Sequence, residues 1–196
     1  KIAAFLPVKE FDDKRYVMMG TRRGFVKKTL LSAYGRPRRN GIVAIKIREG
    51  DELIEAKITD GSNDVMIASS HGQAVRFHEG DVRETGRGTQ GVRGINLMEG
   101  DVAVSMVPVR RDSDLVVVTE NGYGKRTTIE EYRLTRRGGK GVINVKTSDR
   151  NGMVVSVLEV TDDDGLMIIT KKGVVIRLPV RDMRTIGRNT QGVRMI

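Results

Sequence analysis

The sequence has no cysteine, no tryptophan and only two histidines, and aromatic residues make up 4% of it. Without cysteine there is no disulfide framework and no thiolate metal site, and an intracellular setting fits best. His71 and His78 show neither HxH nor HExxH spacing, so they read as surface or turn residues rather than metal ligands. The scarcity of aromatics argues against a single-strand nucleic-acid binder built on stacking platforms. No apolar run approaches the ~20 residues of a membrane-spanning helix, and the opening "KIAAFLPVKEF" lacks the long apolar region of a signal peptide. Enzymatic motifs are missing too. "GRGTQG" (86–91) has spaced glycines but opens no helix, "DDDG" (162–165) lacks the bidentate Glu of a calcium loop, and no Ser or Thr has a paired base. No catalytic residue, metal site or cofactor site is expected within this stretch.

What the chain has in excess is positive charge. Lys and Arg number 35 against 25 Asp and Glu, a formal net charge of +10, which points to a polyanionic partner. The 38% hydrophobic content supplies a core of ordinary size for 196 residues. The nine methionines scattered along the strands read as core filler. The chain opens without Met in what reads as mid-strand and stops at "GVRMI", as a piece of a longer polypeptide would.

The sequence also repeats itself. "YVMMGTRRGFVKKT", "VMIASSHGQAVRF", "VVVTENGYGKRT" and "MIITKKGVVIRL" each place a glycine between two β-prone runs: Gly24, Gly72, Gly122 and Gly173, spaced 48, 50 and 51. A second glycine, Gly41, Gly91, Gly141 and Gly192, follows with spacings of 50, 50 and 51. "ELIEAKI", "VAVSMVPV" and "MVVSVLEV" alternate as half-buried strands do, and each ends in an acidic, turn-rich link, "TDGSND", "RRDSD" or "TDDDG". A period of ~50 residues carrying about four strands predicts an all-β, propeller-like array whose blades cover one another. The expected repeats are 10–60, 61–110, 111–161 and a truncated 162–196, all of one domain and an incomplete ring. "IEEY" and "PVRDM" each suit a single helical turn.

Cations recur at fixed offsets from the hairpin glycine. Four residues on stand Lys28, Arg76, Arg126 and Arg177, with Lys27 and Lys125 just before two of them. Ten on come Tyr34, Val82, Tyr132 and Met183, read as core, and eleven on come Arg83, Arg133 and Arg184. Four before the second glycine lie Arg87, Arg137 and Arg188; the first repeat carries Arg36, Arg38 and Arg39 around Pro37 instead. Arg93 and Arg194, two after the second glycine, join the set. Solvation alone does not require one sign at one slot in every repeat, whereas equivalent loops of successive blades would place these cations on one rim. Arginine forks and glycine-opened backbone suit phosphate, and neither reads a base. The expected ligand is duplex DNA, bound through its backbone and bent along the rim at roughly 1–6 kcal/mol per 20–30 base pairs. With two phosphates neutralised per loop, the log-log salt slope would be about −7.

"TRRGGKG" (135–141) resembles the basic box of the C-terminal domain of the bacterial DNA gyrase A protein, usually written QRRGGKG. "ENGYGKRT", "GVRGINL", "ITDGSNDVMI" and "GRNTQGV" are similar to the same domain, in phase over essentially the whole chain. The resemblance implies a β-pinwheel, a six-bladed relative of the propeller with exchanged strands. It further implies chiral DNA wrapping that feeds a segment to the catalytic core for ATP-dependent negative supercoiling. The holoenzyme would be an A2B2 heterotetramer of the gyrase A and gyrase B proteins, using ATP and Mg elsewhere, in the bacterial cytoplasm at the nucleoid. The box begins with Thr135 where the family has Gln, and it sits in the third repeat rather than the first blade, so an intact box is expected upstream of Lys1. Arg136, Arg137 and Lys140 are DNA contacts on this reading by charge and slot. Two alternatives stay open: the corresponding domain of topoisomerase IV, binding or bending DNA without full wrapping, and a propeller-type protein-interaction scaffold similar to the regulators of chromosome condensation.

Overall fold

The computed structural model describes residues 2–109 and 112–196, so the two arginines that open the "RRDSD" link, Arg110 and Arg111, fall outside the described residues. Strands β1 (Tyr16–Thr21) and β2 (Phe25–Leu30) form the first hairpin, followed by β3 (Leu53–Thr59). The pattern recurs as β4 (Asp64–Ser69), β5 (Gln73–His78), β6 (Val92–Arg93) and β7 (Ala103–Val109), then as β8 (Asp114–Thr119), β9 (Tyr123–Thr128), β10 (Val142–Ile143) and β11 (Val154–Val160). A last hairpin, β12 (Gly165–Ile169) and β13 (Val175–Pro179), precedes β14 (Val193–Arg194). The single turns expected at "IEEY" and "PVRDM" are 3-10 turns, Ile129–Glu131 and Val180–Asp182, with equivalents at Leu31–Tyr34 and Glu79–Asp81. The fold is all-β, as the alternation predicts.

Each four-stranded sheet takes its last strand from the following repeat. The orders are β3-β1-β2-β6, β7-β4-β5-β10 and β11-β8-β9-β14, and β12 and β13 form a two-stranded sheet. Val26 pairs with Val92, Ala74 with Val142 and Gly124 with Val193, so each exchanged strand lies antiparallel on the second strand of the hairpin before it. The second glycine makes this exchange possible. A Cβ at Gly91 would lie 2.4 Å from the Val26 carbonyl oxygen, and one at Gly141 2.2 Å from that of Ala74. The backbone there has φ of 79° and 80°, a region in which a side chain is strained. The period of the second glycine therefore records where each repeat hooks onto its predecessor.

The central strands are buried on both faces, which is why they read as unbroken apolar runs rather than alternations. In β4, Val65 and Ile67 pack toward the first sheet with Met18, Val26 and Met106. Met66 and Ala68 pack toward the third sheet with Leu115, Val117, Ile129 and Tyr132. Val82 and Tyr132 fill the core slot ten residues after the hairpin glycine, while Tyr34 and Met183 in the first and last repeats are half-buried. Because β3, β7 and β11 adjoin one another, they mark the hub, and β6, β10 and β14 at the opposite sheet edges mark the rim.

Candidate nucleic-acid interface

The cations four residues after the hairpin glycine lie between blades rather than on a surface. The Lys28 ammonium donates to the Glu79 carbonyl at 2.9 Å and stands 4.9 Å from the Tyr16 ring centre. Arg76 donates to the carbonyls of Ile129 and Tyr132 at 3.0 and 3.1 Å, and its Nη2 meets Asp64 at 2.7 Å. Arg126 reaches the Val180 carbonyl at 3.1 Å, Asp114 at 2.5 Å and Asp162 of the "DDDG" turn at 2.7 Å. Glu79, Ile129 and Val180 each open the 3-10 turn of the next repeat. The slot is a joint, in which one blade's cation caps the turn of its neighbour while Arg76 and Arg126 are also paired with a carboxylate of their own sheet and Lys28 lies over a ring of its own. Burial and internal partners turn these side chains inward, away from the rim on which the DNA contact was expected. Arg177, whose hairpin is only two-stranded, occupies the same slot and is exposed.

Lys27 and Lys125 are also internal, each 1% exposed. The Lys27 Nζ donates to the Ala44 and Arg87 carbonyls at 2.7 and 2.5 Å, and the Lys125 Nζ to the Gly187 carbonyl at 2.8 Å and to that of Arg188. Burial pulls both ammoniums down to about 8, the nearby Arg87 and Arg188 guanidiniums adding to the effect and Glu131 opposing it at Lys125. The sequence carries a signal for this placement. Neighbours on a strand point to opposite faces, so Lys27–Lys28 and Lys125–Arg126 cannot both face one rim.

The arginine loops themselves form a connected outer edge. Lys46 donates its backbone N–H to the Thr89 carbonyl at 3.0 Å, Asn96 to Gly139 at 2.9 Å and Lys146 to Thr190 at 2.9 Å, so each loop is bonded to the segment after the previous second glycine. The arginine four before the second glycine braces the same junction: Arg87 donates to the Val43 carbonyl at 3.1 Å, Arg137 to Arg93 at 3.2 Å and Arg188 to Ile143 at 2.7 Å. These three are half-buried struts whose guanidiniums are partly committed. Arg36, Arg38, Arg39, Arg83, Arg93, Arg133, Arg136, Lys140, Arg184 and Arg194 are exposed on the loops and exchanged strands. Gly86, Gly88 and Gly187 of these loops have open space where a Cβ would stand.

Composition around the slots also left some residues out. Arg48 lies 3.9 Å and Arg93 5.4 Å from the Phe25 ring centre, and Arg150 lies 5.0 Å from that of Tyr123, each ring one residue after a hairpin glycine. Strand exchange brings Arg93 to Phe25, whereas Arg48 and Arg150, seven and nine residues past the second glycine, reach the ring of their own repeat.

The chain matches the family model described as DNA gyrase C-terminal domain, beta-propeller, over residues 15–60, 63–110, 113–161 and 165–196. It is 56% identical over 195 residues to the DNA gyrase A protein of Halalkalibacterium halodurans, an alignment that covers 100% of this chain and 23% of that protein. Among solved structures it is similar to the C-terminal domain of DNA topoisomerase IV, with a TM-score of 0.92 at 28% identity over 97% of this chain and 60% of that one. It is likewise similar to the DNA gyrase A C-terminal domain, with a TM-score of 0.88 at 29% identity over 96% and 64%. The chain thus spans under a quarter of the length of the Halalkalibacterium relative.

Proposed function

The chain belongs to the DNA gyrase C-terminal domain family, and from that premise and the basic rim we propose that it binds duplex DNA through its phosphates and wraps it along the outer loops. The carrying observation is the recurrence of exposed cations, Arg83, Arg133 and Arg184 above all, at one slot on loops that are bonded to one another. A linked edge holds its charges in register, so the ordering entropy of each contact is largely met before DNA arrives. The exposed cations recur on the outer loops at equivalent places of successive repeats, a spacing suited to following the phosphate backbone, which supports binding with little sequence preference. In the parent protein such wrapping would present a DNA segment to the cleavage core of a type IIA topoisomerase. Negative supercoiling would then draw on ATP and Mg held elsewhere, and on the gyrase B protein within an A2B2 assembly in the bacterial cytoplasm.

A second reading has one observation in its favour. The fold superposes on the topoisomerase IV domain with a TM-score of 0.92, against 0.88 for the gyrase domain, and this supports binding or bending without full wrapping. Topology separates the two. The protein is incubated with nicked plasmid, the nick is ligated, and the linking-number change is read across a salt series. A positive shift that fades steeply with salt, with a log-log binding slope of about −7, fits wrapping by the rim. Tight binding with no shift would sink the wrapping reading in favour of the second one.

A further inference from the structure

We propose that Lys27 and Lys125 are positioning residues for the DNA track: each ammonium fixes the arginine loop above it in a phosphate-ready shape, so its removal weakens DNA binding while the fold stands. The inference rests on the DNA-binding reading and deepens it. Both lysines send two bonds into the rim, and both end on the carbonyl of the loop arginine, Arg87 or Arg188. The same arginines brace the neighbouring segment with their guanidiniums. Backbone and side chain of one residue are thereby held from opposite directions, which leaves the loop few alternative shapes.

The second sheet supplies an internal control. There the equivalent position is Val75, 1% exposed, and among the described residues no ammonium reaches the "TRRGGKG" loop from below. A cavity of about 220 Å³ lies at this place, lined by Val75, Arg133, Arg136 and Lys140 among others. Packing of a blade therefore does not need a lysine at this slot. Where the lysine is present below, the loop carries Thr-Gln ahead of the second glycine (Thr89-Gln90, Thr190-Gln191); where it is absent, the loop carries Gly139-Lys140. The loop without a lysine beneath it thus carries a lysine of its own, Lys140. A buried ammonium is costly, and valine would fill the space more cheaply, so its retention in two blades calls for a task beyond packing.

Few other charges face these ammoniums. Arg87 acts on Lys27, and the Tyr34 hydroxyl shares the Ala44 carbonyl with it at 3.2 Å; Arg188 and Glu131 act on Lys125 and also on the nearby core residue Tyr132. Burial holds both tyrosines above their ordinary range, so the lysines are the groups that titrate first as pH rises above neutrality.

The test compares the wild-type chain with Lys27→Met/Lys125→Met and with Lys27→Gln/Lys125→Gln, which keeps two N–H donors. Measured together are duplex-DNA affinity at pH 7 and 9.5, the thermal midpoint, and hydrogen exchange of the loops. The Met variant is expected to keep its midpoint, to exchange faster at 85–91 and 185–191 but not at 135–141, and to bind DNA about tenfold more weakly, the size of one charge-assisted hydrogen bond. The Gln variant should recover part of the loss. Wild-type affinity should fall between pH 7 and 9.5, and that of the Met variant should not. Wild-type binding and loop exchange in the Met variant would overturn the proposal. If that variant does not fold, the wild-type pH series decides: a flat affinity overturns it, and a fall with loosening confined to the two loops supports it. A wild type that binds no duplex at low salt would instead remove the DNA reading itself, and the proposal with it.

Discussion

Two sets of cations share one period in this chain and meet opposite fates. Lys28, Arg76 and Arg126 spend their donors on the turn of the next blade, whereas Arg83, Arg133 and Arg184, seven residues further on, stand exposed on the rim. Both sets recur for a reason, but the reasons differ. A repeated joint between blades demands a repeated cation as firmly as a repeated ligand contact does. Recurrence of sign therefore identifies a constraint, and only burial says whether the constraint is internal.

The comparison is broken most severely at the joint. Arg126→Ala would leave Asp114 half-buried without its partner and strip the Val180 carbonyl of a donor. The expected loss is about 3 kcal/mol, lowering the unfolding midpoint by roughly 6–12 °C in a chain of this size. The salt slope of DNA binding by the folded protein should not change. A midpoint like that of the wild type in a thermal scan would mean that the joint is decorative.

A smaller loss is expected where one repeat hooks onto another. Gly141→Ala sets a Cβ 2.2 Å from the Ala74 carbonyl oxygen at φ of +80°, while Gly41→Ala meets nothing within 4 Å at φ of +79°. Both carry the backbone strain of a left-handed residue, and only the first must also displace β10. Denaturant unfolding should therefore separate them, with Gly141→Ala costing about 2 kcal/mol and Gly41→Ala about 1. Equal losses would count against the exchange as the reason for the second glycine.

The rim should answer in the opposite way. Replacing Arg83, Arg133 and Arg184 together by Gln removes three exposed charges and is expected to leave the midpoint within about 0.5 kcal/mol of wild type. If each guanidinium neutralises one phosphate, the log-log salt slope should become shallower by about 3. An unchanged slope would move the DNA track away from this slot.

How much of this was visible beforehand follows from the range of the interactions concerned. Hairpins, the period and the core slot at Val82 and Tyr132 are local patterns, legible from glycine spacing and from runs such as Val65–Ala68. Strand exchange was legible only through the family resemblance, because Val92–Arg93 pairs with Phe25–Val26 some sixty-six residues earlier and two-residue strands carry no periodicity of their own. The exposed rim arginines fit their slots. Lys27 and Lys125 did not read as internal because lysine is so rarely buried that a basic strand position defaults to the surface. The adjacent pairs Lys27–Lys28 and Lys125–Arg126 held the corrective signal, since a strand covered on both faces leaves neither side chain a free rim.

The smallest expected effect sharpens the contrast from inside the buried set. Lys27 titrates at about 8 in the folded protein and near 10.5 when unfolded, so between those values the unfolded chain binds more protons. Stability then rises with pH across that window, by about 1 kcal/mol from pH 7 to 9, because deprotonation relieves the cost of a buried charge that is fully present below pH 8. Lys125 should behave alike, and each Lys→Met variant should lose its own share of the rise. The direction is the informative part. If the lysines had no hold on the loops, stability would climb at alkaline pH while DNA affinity stayed flat. Positioning predicts that they part, with unfolding free energy climbing above pH 8 while affinity declines, because the uncharged amine is easier to bury and poorer at holding the Arg87 and Arg188 carbonyls. Chemical denaturation and duplex titration on the same samples at pH 7, 8 and 9 would resolve the two curves, and a flat affinity beside a climbing stability would leave Lys27 and Lys125 as internal residues with no hold on the DNA track.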